Sequence, residues 1–355
     1  MRTFVFPLLI LVVGGVLWWA FRPEEEPDLV LYCGVDQDQS RLVVTLFQKE
    51  TGLTVRFEGE NEAFRSIGLP RKLKEEQGDP RADVFWANEI MNMDDLGRRG
   101  LLAPLPEGVA EKFPPAWRDP AGHYAAFGAR GRILLVNTEL LPDPEDYPRS
   151  IEDLLDERYA EMGLKTCMAR PLTGTTYTHA VALLTRDEDD AKAFLEACAK
   201  AGEEGRMKIT PSNGSAMRET RDPKNRIAFC LTDTDDAWKA IRDGYPVAVV
   251  YPDQGEEEMG TVLIPNTVAL VKGGPHPKNG VRFLEWLIRP ETEALLARGP
   301  SAQIPLRPEL ERAQLPAHVK RPGVEFRAAQ IDWAQVGENR DRWRDWLTTT
   351  FRPAP

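Results

Sequence analysis

The sequence predicts a two-lobe α/β fold behind an N-terminal membrane anchor. The chain has 355 residues, which suits two lobes of ordinary domain size better than one small core. Apolar runs alternate with helix-like segments in βαβ order, a pattern that favours parallel strands covered by helices. An apolar, uncharged run close to the N-terminus indicates the anchor.

The signal anchor is predicted over residues 1–22. The 19 residues from 3 to 21 carry no charge and would reach ~28 Å as a helix, enough for the hydrocarbon core of a bilayer. Arg2 precedes the run and three glutamates follow it at residues 24–26, which places the rest of the chain outside the cytoplasm. The run lacks the small residues of a cleavage site, so we expect an uncleaved anchor, with a cleaved signal peptide as the alternative.

The first lobe is expected to open with three strands, each ended by a polar or glycine-containing turn. These strands are predicted at residues 29–33, 53–57 and 82–86. A helix is expected between the first two strands, at residues 41–49, with Ser40 as its N-cap.

A strongly apolar strand at residues 131–136 leads into a second α/β unit. The other strands of this unit are expected at residues 165–169, 207–210, 227–231 and 247–250, and its helices at residues 175–184 and 189–201. A strand at 260–270 and an amphipathic helix at 279–288 follow. The C-terminal residues 311–355 are predicted to form a helical extension that packs its tryptophans on a lobe.

Net charge and cysteine content narrow the functional classes. The formal net charge of -11 argues against nucleic acid as the main partner. The four cysteines have spacings that match no zinc site. Their even number permits disulfides in an exported chain, whereas the apolar runs around Cys33, Cys167 and Cys230 favour buried thiols.

Five stretches together resemble a known family. They are Leu-Tyr-Cys-Gly at 31–34 with the helix end at 49–55, the strand and turn at 82–89, the strand at 128–138, Leu-Thr-Asp-Thr-Asp-Asp-Ala at 231–237, and the late segments 281–290 and 301–306. In this order, over residues 29–310, they resemble the periplasmic solute-binding proteins of ferric-iron ABC importers, which have the type II periplasmic-binding fold.

The resemblance implies a division of the chain and a set of partners. The first lobe would comprise residues 28–130 plus 253–310, and the second lobe residues 131–252, with the ligand in the cleft between them. The chain would be a monomer at the outer face of the cytoplasmic membrane, or in the periplasm. It would capture a small-molecule or metal ligand and deliver it to an ABC permease and its ATPase. No catalytic residue and no resident cofactor are expected.

Polar turns follow successive strands of the predicted sheets, where open α/β sheets place their ligands. The predicted ligand-binding residues are Asp36, Glu60, Asn88, Glu89, Arg130, Arg132, Thr173, Thr175, Thr176, Tyr177, Asn213, Ser215, Asp233, Asp235 and Tyr251. Carboxylate oxygens favour hard cations such as Fe³⁺, Ca²⁺ or Mg²⁺. The predicted metal ligands are Asp36, Glu60, Asp233 and Asp235, with Glu62 and Glu89 as further carboxylates of the set.

The same turns also suit an anion. Hydroxyls and free backbone N–H groups at a helix start, as at residues 173–176 and 213–215, bind oxyanions, although an ordinary N-cap is the alternative. By the resemblance, an arginine at the position of Arg130 or Arg132 would hold a synergistic anion beside a bound Fe³⁺.

The sequence departs from the ferric binders it resembles, which use adjacent tyrosines late in the second lobe. Here that region contains Asp233, Asp235 and Asp236, and only Tyr177 and Tyr251 remain as phenolate candidates. The cargo is therefore open between ferric iron held by carboxylates, a metal chelate, another cation and an organic molecule.

Two other functional classes compete with transport as interpretations of the sequence. An enzyme acting on a small anionic metabolite is disfavoured because no nucleophile elbow, phosphate-binding loop or zinc-protease motif is present. A membrane-tethered ligand-sensing domain would have the same fold and anchor, and stays the alternative.

Overall fold

The computed structural model describes residues 26–60, 68–307 and 309–352. The predicted anchor at residues 1–22 lies outside these ranges, as does Glu62. Among the described residues, no helix is both long and apolar enough to cross a bilayer.

The described residues form nine strands, in the order β2-β1-β3-β9-β4-β7-β5-β6, with β8 paired to β4 beside this path. The strands are β1 Leu29–Cys33, β2 Val55–Gly59, β3 Val84–Ala87, β4 Tyr124–Asn137, β5 Lys165–Ala169, β6 Met207–Thr210, β7 Ile227–Asp233, β8 Val247–Val250 and β9 Leu263–Leu270.

Twelve α-helices are formed by the same residues. They are α1 Gln37–Thr51, α2 Gly68–Glu75, α3 Met91–Arg98, α4 Glu157–Glu161, α5 Gly174–Arg186, α6 Glu188–Glu203, α7 Asn213–Arg221, α8 Thr234–Arg242, α9 Pro277–Leu287, α10 Pro290–Arg298, α11 Trp333–Glu338 and α12 Arg344–Thr350.

The first lobe is built on β1, which is buried along its whole length. It pairs in parallel with β2 and β3, as the βαβ pattern predicts, and β9 adds to β3 in the antiparallel direction. Helices α1 and α9 cover this sheet, where Phe47 contacts Phe283 and Trp286 at ring-centroid distances of 4.9 and 5.6 Å.

The long strand β4 belongs to both lobes. Its first part, from Tyr124 to Gly131, pairs with β9, and its last part pairs with β7 and β8. The β4–β9 register shifts between Phe127 and Ala129, where Gly128 has a φ of 49° that favours glycine. This irregularity lies where the strand passes from one lobe to the other.

The second lobe places β5 between β6 and β7 in a parallel sheet. Cys167 of β5 lies opposite Cys230 of β7. All four cysteines are buried free thiols, and burial raises the pKa of Cys167 and Cys230 above the ordinary thiol value. They act as small apolar side chains of the core.

The C-terminal segment packs its aromatic side chains inward. Trp333 and Trp343 are buried in the same apolar cluster as Tyr177 and Leu195 of the second lobe. The two-lobe arrangement agrees with the type II periplasmic-binding fold; the boundaries 28–130 plus 253–310, 131–252 and 311–355 stay predictions.

Candidate functional site

A cleft with a cavity volume of about 560 Å³ lies between the lobes. It opens where β1, β3, β5 and β7 end, the edge at which α/β sheets collect their ligands. Its walls consist of residues 36–39, Glu60 and Asn88 from the first lobe, Arg130 from β4, residues 169–170, 173–176, 211–214, 217–218, 233, 235–236, 239 and 242 from the second lobe, and residues 300–301.

Ten of the predicted ligand-binding residues line this cleft. They are Asp36, Glu60, Asn88, Arg130, Thr173, Thr175, Thr176, Asn213, Asp233 and Asp235. The structure places the other five outside the cleft wall: Glu89, Arg132, Tyr177, Ser215 and Tyr251.

Glu89 and Ser215 take part in hydrogen bonds at the starts of helices. The buried carboxylate of Glu89 accepts hydrogen bonds from the backbone N–H groups of Met91 at 2.8 Å and Asn92 at 3.1 Å, at the start of α3. Ser215 donates its backbone N–H to the Ser212 hydroxyl at 3.2 Å, which caps α7. Glu89 has the side-chain chemistry of a ligand because capping uses the same acceptor atoms, whereas Ser215 is the donor to the capping residue.

The two tyrosines also point away from the cleft. The Tyr177 hydroxyl donates to the Arg340 carbonyl in the C-terminal segment. Tyr251 stacks on Phe326, with ring centroids 4.4 Å apart. Burial raises the pKa of both phenols. Among the described residues that line the cleft there is neither a tyrosine nor a histidine.

Arg132 lies behind the cleft wall and is fully buried. Its Nη1 donates to Asp233 Oδ1 at 2.6 Å, and its Nε donates to His179 Nδ1 at 3.4 Å. Burial, and then the charge of Arg132, lower the pKa of His179 well below its ordinary value, so the neutral imidazole can accept this hydrogen bond.

Asp233 organises the wall of the second lobe. Besides Arg132, its other carboxylate oxygen accepts from Thr175 Oγ1 at 2.5 Å and from Asn213 Nδ2 at 3.0 Å. It thereby fastens the starts of α5 and α7 to the end of β7. With both oxygens already hydrogen-bonded, Asp233 is a positioning carboxylate and a poor candidate for a metal ligand.

Asp235 and Asp236 form the acidic surface of the cleft. One carboxylate oxygen from each of them and one from Asp233 lie within 4.8 Å of one another. Burial, and then the neighbouring carboxylates Asp233 and Asp36, raise the pKa of Asp235 to about 7 against the favourable charge of Arg130. Burial and Asp235 likewise raise the pKa of Asp236. Such a cluster gains from a cation that compensates its charge.

Arg130 is the buried cation beside these carboxylates. Its Nη2 donates to the Asn88 carbonyl at 2.8 Å, and its Nη1 lies 3.6 Å from Asp235 Oδ2. Its buried Nε has no hydrogen-bond partner among the described residues. Arg130 therefore connects β4 to both lobes and keeps a donor for a ligand.

Sequence reasoning left two carboxylates of the cleft out of the candidate ligands and missed several cations. Asp38 and Asp236 lie in the same polar turns as the candidates Asp36 and Asp235 but were not singled out as ligands. The missed cations are Arg170, Arg218, Lys239 and Arg242. The last three lie on α7 and α8, where basic residues are typical of any exposed helix face, so no signal distinguished them. Arg170 directly follows β5, and this position at the end of a predicted strand was a signal that could have identified it as a cleft residue.

Comparison with known proteins agrees with this architecture. The model of the family described as bacterial extracellular solute-binding protein matches residues 43–323. Iron uptake protein A1 of Synechocystis sp. is 24% identical over 292 residues, which cover 79% of this chain and 76% of that protein.

Solved structures share the fold over almost the whole chain. Iron-bound HitA from Pseudomonas aeruginosa superposes with a TM-score of 0.76 at 19% identity, over 90% of this chain and 98% of that chain. AfuA from Actinobacillus pleuropneumoniae, with fructose-6-phosphate bound, has a TM-score of 0.73 at 18% identity, over 92% and 99% of the two chains. Since the family match spans most of its length, the chain belongs to the bacterial extracellular solute-binding proteins.

Proposed function

We propose that this protein captures a metal cation together with an anion in its interlobe cleft and delivers the pair to a permease. It is the substrate-binding component of an ABC importer and works outside the cytoplasm. The observation that carries the cargo proposal is the pair Asp235 and Asp236, half-buried in the cleft beside Arg130.

The cation is proposed to bind to oxygen ligands. Asp235 and Asp236 come from the second lobe, whereas Asp36 and Glu60 line the facing wall of the first lobe. Carboxylates from both walls can bind one hard cation and so hold the lobes together around it. Asp233 is excluded from this set because Arg132, Thr175 and Asn213 already use its oxygens.

The anion is proposed to bind at the starts of α5 and α8 and to arginines. The N-caps of these helices, Thr173 and Asp233, make no side-chain capping bond to their own helix. N–H groups of the first turns therefore stay available, apart from that of Asp236, which donates to Asp235 Oδ1. Arg130 and Arg170 each have a buried Nε without a hydrogen-bond partner among the described residues. Charge-assisted donors of this kind suit a carboxylate or phosphate.

The relatives support a metal-containing cargo. Iron uptake protein A1 and iron-bound HitA carry iron in their names or structures. With neither tyrosine nor histidine among the described cleft residues, iron here would be held by carboxylates and by oxygens of the anion. Fe³⁺ or another hard cation is therefore cargo, with a synergistic anion, and no resident cofactor is proposed.

A second candidate is an organic anion without metal. Five cationic side chains line a cleft of about 560 Å³, a volume typical of small-molecule sites. AfuA, which shares the fold, holds fructose-6-phosphate. In this case Asp235 would stay protonated and donate a hydrogen bond to a ligand hydroxyl.

Native mass spectrometry with metal analysis, on protein purified from its own periplasm, separates the two candidates. The proposal predicts one metal ion per chain and an added mass larger than the metal alone. An organic anion without stoichiometric metal would establish the second candidate and overturn the first. A bare chain that takes up neither cations nor anions on titration would overturn both.

A further inference from the structure

The C-terminal residues 333–350, which comprise α11, a short turn and α12, contact both lobes. We call this segment the clasp. It packs against α3 of the first lobe and against α5 and α6 of the second. Strand β4 and the chain between β8 and β9 already join the lobes covalently, so the clasp is an additional, non-covalent connection between them.

Two interactions join the clasp to α3. Arg98 Nη2 donates to the Gly337 carbonyl at 2.8 Å, and Arg340 Nη1 lies 3.6 Å from Asp95 Oδ2. Gly337 packs directly on α3, because a Cβ added there would overlap the side chain of Asp94. The glycine therefore permits a close approach that any larger residue would prevent.

Several interactions join the clasp to the second lobe. The Tyr177 hydroxyl of α5 donates to the Arg340 carbonyl, and Asn339 Nδ2 donates to Thr185 Oγ1 at 3.2 Å. Arg342 Nη2 lies 2.7 Å from Glu188 Oε2 of α6. Residue 340 is therefore bonded to the first lobe by its side chain and to the second lobe by its main chain.

The clasp reaches close to the cargo cleft. A small cavity of about 30 Å³ lies where α3, α5 and the clasp meet, with Glu89 and Arg340 in its wall. Thr173 and Gly174 line both this cavity and the main cleft. Helix α5 thus presents its first turn to the cargo and its next turn, with Tyr177, to the clasp.

From this arrangement we infer that Arg340 is a positioning residue for cargo binding: through the clasp it holds α3 and α5, and hence the two walls of the cleft, at a fixed separation. When the lobes move apart, the side-chain contact with Asp95 or the main-chain contact with Tyr177 must change. The clasp therefore favours the interlobe arrangement seen in this structure. The inference rests on the proposed function only in that cargo binds between the lobes.

Arg340 can be changed without leaving Asp95 unpaired. Asp95 also pairs with Lys74 at 2.6 Å and with Arg99 at 2.8 Å. Arg340→Ala thus removes the interlobe contact while Asp95 keeps two cations; the buried Glu89, whose charge Arg340 also opposes, keeps its hydrogen bonds from Met91 and Asn92. Arg206→Ala is the matched control, because Arg206 pairs with Glu204 inside the second lobe and the pair is not part of the clasp.

Single-molecule FRET on the full-length protein without cargo tests the inference. Leu42→Cys in the first lobe and Met162→Cys in the second provide label sites, since both side chains are exposed and the four native cysteines are buried. Arg340→Ala should shift the interlobe distance distribution to longer values, Arg340→Lys should shift it less, and Arg206→Ala should leave it unchanged. Gly337→Ala, which pushes the clasp off α3, should act like Arg340→Ala.

Affinity for Fe³⁺–citrate as the probe should fall ~2- to 5-fold in Arg340→Ala, the range for a partly exposed ion pair, and stay unchanged in Arg206→Ala. Equal distance distributions in wild type, Arg340→Ala and Gly337→Ala would overturn the inference. Failure of wild type to bind the probe would count against the proposed cargo, whereas the distances without cargo would still decide the role of the clasp.

Discussion

Three aspartates in one turn have different roles because they have different partners. Asp233 has both oxygens hydrogen-bonded within the protein, whereas Asp235 lies 3.6 Å from the opposing charge of Arg130 and accepts one backbone N–H. Asp236 accepts a hydrogen bond from Thr232 at 3.2 Å. From the sequence these residues are chemically equivalent, and only the packing around Arg132 separates a positioning group from candidate ligands.

Removing the charge of one candidate ligand should weaken cation binding. Asp235→Asn should reduce the affinity for a hard cation by about 1.5–3 kcal/mol, or roughly 10- to 150-fold, the range for a bond to a charged group. Asp243→Asn is the control, because Asp243 ends the same helix α8 outside the cleft. Calorimetry with Ca²⁺, Mg²⁺, Zn²⁺ and Fe³⁺–citrate measures both; equal losses in the two variants would contradict the assignment.

The raised pKa of Asp235 gives binding and stability a pH dependence. Its pKa is about 7 in the folded protein against 3.8 as the ordinary value, so the folded state binds more protons between these limits. The free energy of unfolding of the cargo-free protein should therefore fall as pH rises from about 4 to about 7, and Asp235→Asn should remove this part of the slope. Cation affinity should rise over the same range, since the cation needs the carboxylate. Denaturant titrations at several pH values test the sign.

Arg130 should affect the cleft more than the fold. We expect Arg130→Ala to weaken cargo binding by about 1.5–3 kcal/mol, because it removes a charge-assisted donor in the cleft. Since Arg130 also opposes the rise in the pKa of Asp235, the variant should need higher pH to bind a cation. Unchanged affinity at every pH would remove Arg130 from the site.

At the scale of elements, apolar runs predicted the strands well because buried parallel strands are apolar along their whole length. The predicted strand at residues 165–169 coincides with β5, and that at 207–210 with β6. Ends shifted where a polar turn continues the strand, as in β2, which runs over Val55–Gly59 instead of 53–57. Helix α10 was not foreseen, since Pro290 ends one helical pattern and also begins the next.

The function of Arg132 was not predictable from its strand. Alternation along β4 places Arg130 and Arg132 on the same face of the strand, so it cannot tell which of them enters the cleft and which lies behind its wall. The pairing of Arg132 with Asp233 joins residues 101 positions apart, and no local pattern reports it.

Breaking the ion pair between Arg132 and Asp233 should lower the stability of the fold and not only affect the cleft. Arg132→Ala should cost about 3–5 kcal/mol of unfolding free energy, because it leaves the buried Asp233 carboxylate without its cation. Urea unfolding, with Arg130→Ala as the comparison in the same strand, measures this cost. A loss of cargo affinity in Arg132→Ala without loss of stability would show that Arg132 contacts the cargo.

For the whole molecule, the alternation of strands and helices and the family resemblance were sufficient to predict two lobes around a cleft. The edge at which ligand residues gather was also predictable, and ten of the fifteen candidates line it. The clasp was not predictable from the sequence, because its contacts with α3 and α5 join residues more than 150 positions apart. Such contacts depend on the relative orientation of the two folded lobes.

The membrane anchor remains a prediction from the charge order and length of residues 1–22. Full-length protein should sediment with membranes, and a version in which residues 1–22 are replaced by a cleavable signal peptide should appear in the soluble periplasmic fraction. Immunoblots of fractionated cells measure this. Uncleaved full-length protein in the soluble fraction would contradict the anchor.

Titration calorimetry of the wild-type protein with Fe³⁺–citrate and with citrate alone, monitored by visible absorption, tests the central claim most directly. We expect Fe³⁺–citrate to bind more tightly than citrate alone, because the cation compensates Asp235 and Asp236. The complex should lack the strong visible colour of tyrosine-ligated iron, since the described cleft residues include no tyrosine. Equal affinities would favour an organic anion, and a coloured complex that disappears in Tyr251→Phe would contradict a carboxylate site.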